Sequence, residues 1–187
     1  MIGVLPKSLT VGGKEYEIRT DFRVILRIYE AFDDSELTEN DKAEVCVRCL
    51  YSAYKEIPFE DMQEAVDKAY WFVGGGDMPH SKPDEIKMLD WKQDESILVP
   101  AVSKAAGVPD IRECPHLHWW TFLGLFGEIG EGLFSTVMNI RQKRAKGKPL
   151  ETWEKEFYRK NAELINIRTD EDDEAMQELN AVLEELI

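Results

Sequence analysis

The amino-acid sequence predicts a mainly α fold, a single domain of about six to eight helices preceded by a short N-terminal β-hairpin. Apolar residues recur every three or four positions through most of the 187-residue chain, which is the spacing of one face of a helix. In the first twenty residues, apolar and polar side chains instead alternate on either side of Gly12-Gly13. Two adjacent glycines supply the positive φ angles of a tight turn, so this part is predicted to be the hairpin.

Helical patterns follow the hairpin, and each is ended by glycines, prolines or a run of polar residues. The first begins after the potential cap Thr20-Asp21 and ends at the polar run that starts with Asp33. The longest predicted loop runs from Gly74 to Pro83. The other predicted helices cover 38–55, 58–73, 91–106, 115 to the glycines at 127 and 130, 133–145, 149–167 and 170–187.

The sequence changes character near Arg168, where a helix of mixed charge gives way to a wholly acidic segment. We therefore predict a helical domain with its hairpin at 1–168 and an acidic, amphipathic C-terminal helix at 169–187. Five consecutive acids, at 170–174, favour a helix N-terminus because the helix dipole attracts negative charge there.

The charge and the apolar content of the chain argue against nucleic acid and membrane as partners. Its formal net charge is -14, and such a surface repels the phosphates of nucleic acids. No apolar stretch approaches the roughly eighteen residues that a membrane span needs. The N-terminus lacks an apolar core of signal-peptide length, and three cysteines are an odd number without a disulfide framework. We expect a cytoplasmic protein that binds neither nucleic acid nor membrane.

Two cysteine patterns have spacings that occur in metal or redox sites. Cys46-x-x-Cys49 has the spacing of half a zinc site, but it lies within a helical pattern without a second pair. We interpret both residues as small apolar members of a helix core. Cys114-x-His116-x-His118 offers three metal-ligating side chains. Alternate positions at the start of a helix point in different directions, so we expect no metal here, and a cryptic metal-dependent enzyme remains an alternative.

The sequence shows no other pattern of catalytic chemistry. Gly74-Gly75-Gly76 lacks the lysine and hydroxyl residue of a phosphate-binding loop. There is no nucleophile elbow and no dinucleotide fingerprint. We expect that the protein is not an enzyme, needs no cofactor and has no catalytic residues.

The features that favour protein binding are an aromatic helix and the acidic segment. The stretch 119–126 is apolar on every face of a helix, which is typical of a central core helix or of one that meets a partner. The segment 170–187 carries an apolar stripe that something should cover, such as a basic helix of this chain, of a second copy or of a partner. The candidate protein-binding residues are Trp119, Trp120, Phe122, Phe126, Met176, Leu179 and Leu183.

The block Leu117 to Phe122 and three other stretches of the chain resemble a family of small phage proteins named after gene product fifteen of a siphophage, found in phages and prophages of Gram-positive bacteria. The most specific block is Leu117-His118-Trp119-Trp120-Thr121-Phe122. The helix that begins with Asp90-Trp91-Lys92, the stretch 139–148 and the opening Leu9 to Arg23 are similar as well. The resemblance covers roughly 5–168 and leaves the acidic segment unmatched.

The resemblance implies a tail assembly chaperone that binds the tape measure protein and keeps it soluble until tail tube subunits replace it. It implies the host cytoplasm as the location, and it supplies no catalytic residues. The tape measure protein is the expected partner, with the tail tube protein and further copies of the chain as additional ones. The alternative within the same setting is a structural tail or head–tail connector protein of the virion.

Overall fold

A computed structural model describes residues 3–77 and 87–168 of the chain. The predicted fold class is confirmed, since these residues form eight α-helices and one antiparallel two-stranded hairpin. No helix within them is long and apolar enough to cross a membrane. The elements are β1 (Ser8–Val11), β2 (Lys14–Glu17), α1 (Phe22–Asp33), α2 (Glu39–Leu50), α3 (Met62–Val73), α4 (Glu95–Ala106), α5 (Trp119–Gly127), α6 (Leu133–Ala145), α7 (Thr152–Lys160) and α8 (Ala162–Ile165).

The described residues fall into two compact units. The first unit lies within Met1–Glu85 and Val99–Gly130 and contains the hairpin with α1, α2, α3 and α5. The second unit lies within Ile86–Leu98 and Glu131–Ile187 and contains α6, α7 and α8. Each unit is therefore built from two separate stretches of chain. The predicted helix at 170–187 and most of the predicted loop before Pro83 lie outside the described residues.

The hairpin forms where the alternating pattern predicted it. Gly12 and Gly13 adopt φ angles of 55° and 77°, which a side chain would disfavour. Leu9, Val11 and Tyr16 are buried on one face, because successive side chains of a strand point to opposite sides. This face contributes to the core of the first unit.

Within the first unit, α2 packs against both α1 and α3. Helix α1 begins at Phe22 because the carboxylate of Asp21 accepts a hydrogen bond from the second backbone N–H of the helix, 3.0 Å away. Its residues Phe22, Ile25 and Ile28 are buried, as their spacing of three predicts. Helix α2 begins with a capping box between Thr38 and Asp41.

The predicted helix 38–55 is too long, since α2 ends at Leu50. The next residue, Tyr51, instead forms an antiparallel bridge with Ile18, which follows the hairpin. The guanidinium of Arg19 also donates to three carbonyl oxygens at this helix end, at 2.9 to 3.2 Å. Contacts that are distant in sequence therefore end the helix before its local pattern does.

Three other helices begin later than predicted. Helix α5 begins at Trp119 and not at 115, because an extended bridge between Asp21 and His118 holds the preceding residues. Helix α3 begins at Met62, after a 3-10 turn that covers the first residues of the predicted helix 58–73. Helix α4 begins at Glu95, since residues 91–94 form a turn.

In the second unit, α8 contacts both α6 and α7. Helix α6 has the predicted bounds, whereas the predicted helix 149–167 is wrong because it divides into α7 and α8. The division falls at Asn161, whose backbone leaves the helical region at φ -131°. Its side-chain amide donates to the carbonyl of Phe157 at 2.9 Å and so satisfies a carbonyl at the end of α7.

Candidate functional site

The inner face of α5 forms part of the core of the first unit. Trp119 and Phe122 are 0% and 1% exposed. The indole N–H of Trp119 donates to the carbonyl of Val73 at 2.8 Å, which satisfies its only polar group. The ring of Phe122 stacks on Phe22 with centroids 5.0 Å apart. The sequence predicted that this helix either lies in the core or meets a partner. In the structure, Trp119 and Phe122 lie in the core.

Two other predicted binding residues of α5, Trp120 and Phe126, are half-buried. The indole N–H of Trp120 donates to the carbonyl of Phe72 at 2.9 Å, and the two rings stack. The ring of Trp120 also meets Trp71 edge to face, with centroids 5.3 Å apart. Trp120 is thus held against α3 while part of its ring stays accessible.

The outer face of α5 carries small residues. Thr121 and Gly124 are exposed at positions three apart, so they share one face of the helix. Among the described residues, a Cβ atom added at Gly124 would meet nothing within 4 Å outside its own helix. Leu125 beside them is half-buried. Small residues allow another helix to approach this backbone closely.

Sequence reasoning missed two exposed aromatic side chains of the described residues, Phe59 and Trp153. Phe59 in the first unit is 91% exposed and follows a proline that starts a 3-10 turn. Trp153 in the second unit is 54% exposed. The helical pattern assigned both to ordinary helix positions, and nothing in that pattern distinguishes an outward aromatic residue from a buried one. The other predicted binding residues, Met176, Leu179 and Leu183, lie outside the described residues.

The histidines of the Cys114–His118 pattern serve the fold of the first unit. The Nδ1 atom of His118 accepts from the backbone N–H of Trp120 at 3.1 Å, and its Nε2 atom donates to the carbonyl of Pro6 at 2.9 Å. These bonds leave His118 no ring nitrogen for a metal ion. His116 Nε2 is hydrogen-bonded to the hydroxyl of Thr20 at 3.0 Å. Within 3–77 and 87–168, no group of three or more potential ligands could hold a metal ion.

The two cysteines of the other pattern lie near the end of α2. Cys46 is fully buried, and burial raises the pKa of its thiol to about 12. A thiol with such a pKa stays protonated at neutral pH and is a poor nucleophile and metal ligand. Cys49 is half-buried and reduced. The position of Cys46 agrees with a packing role.

A buried ion pair lies within the second unit, and no local pattern in the sequence predicts it. Arg141 is 4% exposed and Asp94 is 0% exposed at their side chains. The guanidinium donates to both oxygens of Asp94, at 2.6 and 2.8 Å. Its remaining N–H groups donate to the carbonyls of Met88, Leu164 and Ile165. All five donors are thereby used, which suits a structural role better than a binding one.

A polar pocket of about 590 Å³ also lies in the second unit. Its lining includes Arg159 and Lys160 at the end of α7, and Arg168 at the end of the described chain. The amide of Gln93 forms another part, and Glu163 adds one acid. We call it the Arg159 pocket.

Comparison with known protein families shows to which family the chain belongs. The family model described as bacteriophage Gp15 protein matches residues 1–167. The chain belongs to the bacteriophage Gp15 protein family. This confirms the resemblance that the Leu117–Phe122 block indicated. No curated protein and no solved structure matches the chain.

Membership in the bacteriophage Gp15 protein family identifies the chain as a phage protein with a structural or assembly role. The matched residues include the hairpin and α1 to α8, so they contain both described units. The acidic segment from 170 onward lies beyond the match.

Proposed function

We propose that this Gp15 family protein is a tail assembly chaperone that binds the phage tape measure protein by contact alone, without catalysis. In this proposal it keeps the tape measure soluble in the host cytoplasm until tail tube subunits replace it. The observation that carries the proposal is the family match over residues 1–167.

The properties of the tape measure protein, the client in this proposal, set two requirements for the surface of its chaperone. A tape measure is a long helical rod, and its apolar faces would aggregate if they met one another. A chaperone for it needs a face that accepts a helix, together with a charged exterior that keeps the complex dispersed. The net charge of -14 suits the second requirement.

The outer face of α5 suits the first requirement. Packed helices lie about 8–10 Å apart, and small residues at the contact permit the shorter distances. Thr121 and Gly124 are exposed there, beside half-buried Leu125. The indole bonds of Trp119 and Trp120 to the end of α3 hold this helix in place. We therefore propose this face as the client contact, in place of the buried Trp119 and Phe122.

Release of the client requires reversible binding. Moderate affinity repeated along a rod gives strong overall binding while each copy still dissociates readily. Several copies of the protein would then coat one tape measure, and contacts between copies are part of the proposal.

Co-expression with the tape measure protein of the same phage tests this proposal. We expect the wild-type protein to keep the tape measure in the soluble fraction and to co-purify with it. Gly124→Gln places a long side chain on the outer face of α5, where the added Cβ meets no described residue of another element within 4 Å, so the fold should persist. This variant should lose most of the co-purifying client. Lys155→Gln, at an exposed position of α7, is the control and should behave as wild type.

Two results would contradict the proposal. One is a tape measure whose solubility is the same with and without this protein. The other is a stoichiometric amount of the protein in purified virions, measured by mass spectrometry, because a chaperone leaves the particle and a structural component stays. Equal binding by Gly124→Gln and wild type would reject the α5 contact alone.

A further inference from the structure

The Arg159 pocket is a concave, cationic site on a strongly acidic chain. Arg159 and Arg168 are both exposed on its walls. In the described part of the chain, neither guanidinium forms an ion pair or a side-chain hydrogen bond. The third cation, Lys160, pairs with exposed Glu156 at 2.9 Å. Two arginines thus remain available to carboxylates, which their planar guanidinium groups bind well.

Charge is distributed unevenly along the sequence. The described residues of the second unit, 87–98 and 131–168, carry eleven lysines and arginines against eight acids. Those of the first unit, 3–77 and 99–130, carry eleven against nineteen. The segment 169–187 carries eight acids and no lysine or arginine. The second unit is therefore the one cationic part of the described chain, and the most acidic segment follows it directly.

The last described residues before the acidic segment are held at the pocket by Gln93. Gln93 Oε1 accepts from the backbone N–H of Arg168 at 2.9 Å, and its Nε2 donates to the carbonyls of Glu163 and Asn166. The run of five acids begins two residues after Arg168. An extended chain advances about 3.3–3.6 Å per residue, so the first of these acids stays within about 7 Å of the Arg168 backbone. Short tethers of this kind give effective concentrations in the millimolar range.

We propose that the Arg159 pocket is a binding site for carboxylate-rich peptide and that its occupant is the acidic segment of the same chain, 170–187. Arg159 and Arg168 bind carboxylates of the run 170–174, and Lys160 adds a third positive charge. Exposed pairs of this kind are individually weak, but the tether makes each contact intramolecular. This inference does not depend on the proposed chaperone function.

Hydrogen exchange of the full chain, followed by mass spectrometry, tests the docking. In the wild type, the amides of 170–187 should exchange about fourfold more slowly than in Arg159→Glu/Arg168→Glu, because each of the two lost ion pairs contributes a factor of about two. The same loss of protection should occur when salt is raised to about 0.5 M, where screening weakens exposed pairs.

A matched control distinguishes binding in the pocket from a general attraction between the cationic unit and the acidic segment. Lys146→Glu/Lys148→Glu changes the net charge equally, at exposed positions of the same unit. It should leave the protection of 170–187 unchanged. Far-UV circular dichroism should show both variants folded, because exposed substitutions of this kind usually change stability by no more than about 0.5 kcal/mol. Adding Asp170→Lys/Asp172→Lys/Asp173→Lys to the pocket variant should restore protection.

Three outcomes would overturn the proposal. Unprotected amides in the wild type would show that the segment does not dock. Equal loss of protection in the control and the pocket variant would show attraction without a site. Protection that rises with protein concentration, together with a larger mass in solution, would assign the occupant to a second copy.

Discussion

At the scale of single residues, Gly124 and Gly75 show two different uses of glycine in the first unit. Gly75 adopts a φ of 76°, and a Cβ there would lie 2.8 Å from the Cδ1 atom of Leu123. Gly124 lies inside α5, where an added Cβ would meet no atom of the other described elements within 4 Å. Glycine destabilises a helix interior relative to alanine, so Gly124 costs the isolated fold some stability.

This contrast predicts opposite effects of the same substitution. Gly124→Ala should raise the free energy of unfolding by about 0.5–1 kcal/mol, through lower backbone entropy of the unfolded chain. Gly75→Ala should lower it by about 1–2 kcal/mol, because the left-handed conformation disfavours a side chain. Urea denaturation of the three proteins measures both changes. A stabilised Gly75→Ala, or a destabilised Gly124→Ala, would contradict the assignment.

Arg141 is the residue whose role sequence reasoning could least have found. The sequence places it in a run of five cations, which is ordinarily a solvated face. Its burial results from Asp94 and from carbonyls 23 to 53 residues away, and a local pattern contains no information on such contacts. The same reason explains why Phe59 was not recognised as exposed.

Removing this arginine should leave a buried charge without a partner. Arg141→Leu should lower the free energy of unfolding by about 3–5 kcal/mol, because the carboxylate of Asp94 stays buried. Arg144→Leu, three residues later and exposed, should cost no more than about 1 kcal/mol. Chemical denaturation measures the free energy of unfolding of both variants. Equal losses would show that the buried ion pair contributes no more to stability than the exposed arginine does. The double variant Arg141→Leu/Asp94→Leu should be more stable than Arg141→Leu alone.

At the scale of elements, the periodicity of the sequence predicted where helices form better than where they end. Helix α6 has the predicted bounds because glycines flank it on both sides. Helix α2 ends early, since the bridge between Ile18 and Tyr51 pairs residues 33 positions apart. The predicted helix 149–167 divides at Asn161, whose side chain caps a carbonyl of α7. Helix ends set by distant partners cannot be read from local spacing.

The connection between α6 and α7 depends on a carboxylate. The ammonium of Lys143 at 2.6 Å, and then the backbone N–H of Glu151, hold the pKa of Glu154 below its usual value. A carboxylate with a lowered pKa in the folded state stabilises the fold at neutral pH. That contribution declines as the pH falls below the unfolded-state pKa and is fully lost below the folded-state value.

Glu154→Gln should therefore be less stable than the wild type at pH 7, and this difference should shrink as the pH approaches about 3. Urea midpoints of both proteins across this range provide the measurement. Glu156→Gln, an exposed position in the same helix, should show a smaller difference throughout. A difference for Glu154→Gln that stays constant with pH would show that its ionised form is not what stabilises the connection.

At the scale of the whole molecule, the sequence predicted the helical class, the hairpin and the family, because all three depend on patterns repeated over long stretches. It did not predict that each of the two units combines separate pieces of chain. Nor did it distinguish the inner face of α5 from the outer one, since 119–126 is apolar at nearly every position. Which side of such a helix is covered depends on the elements that pack on it.

The bridge between Asp21 and His118 has a consequence for synthesis of the protein. The carboxylate of Asp21 also accepts from the backbone N–H of Leu117, 96 residues later in the chain. At translation rates of about 5–20 residues per second, the ribosome adds those residues over roughly 5–20 s. During that interval the start of α1 lacks Leu117 and His118, with which Asp21 pairs, and the apolar face that α5 covers stays open. The nascent chain of this phage protein therefore passes through a stage in which it exposes apolar surface of its own.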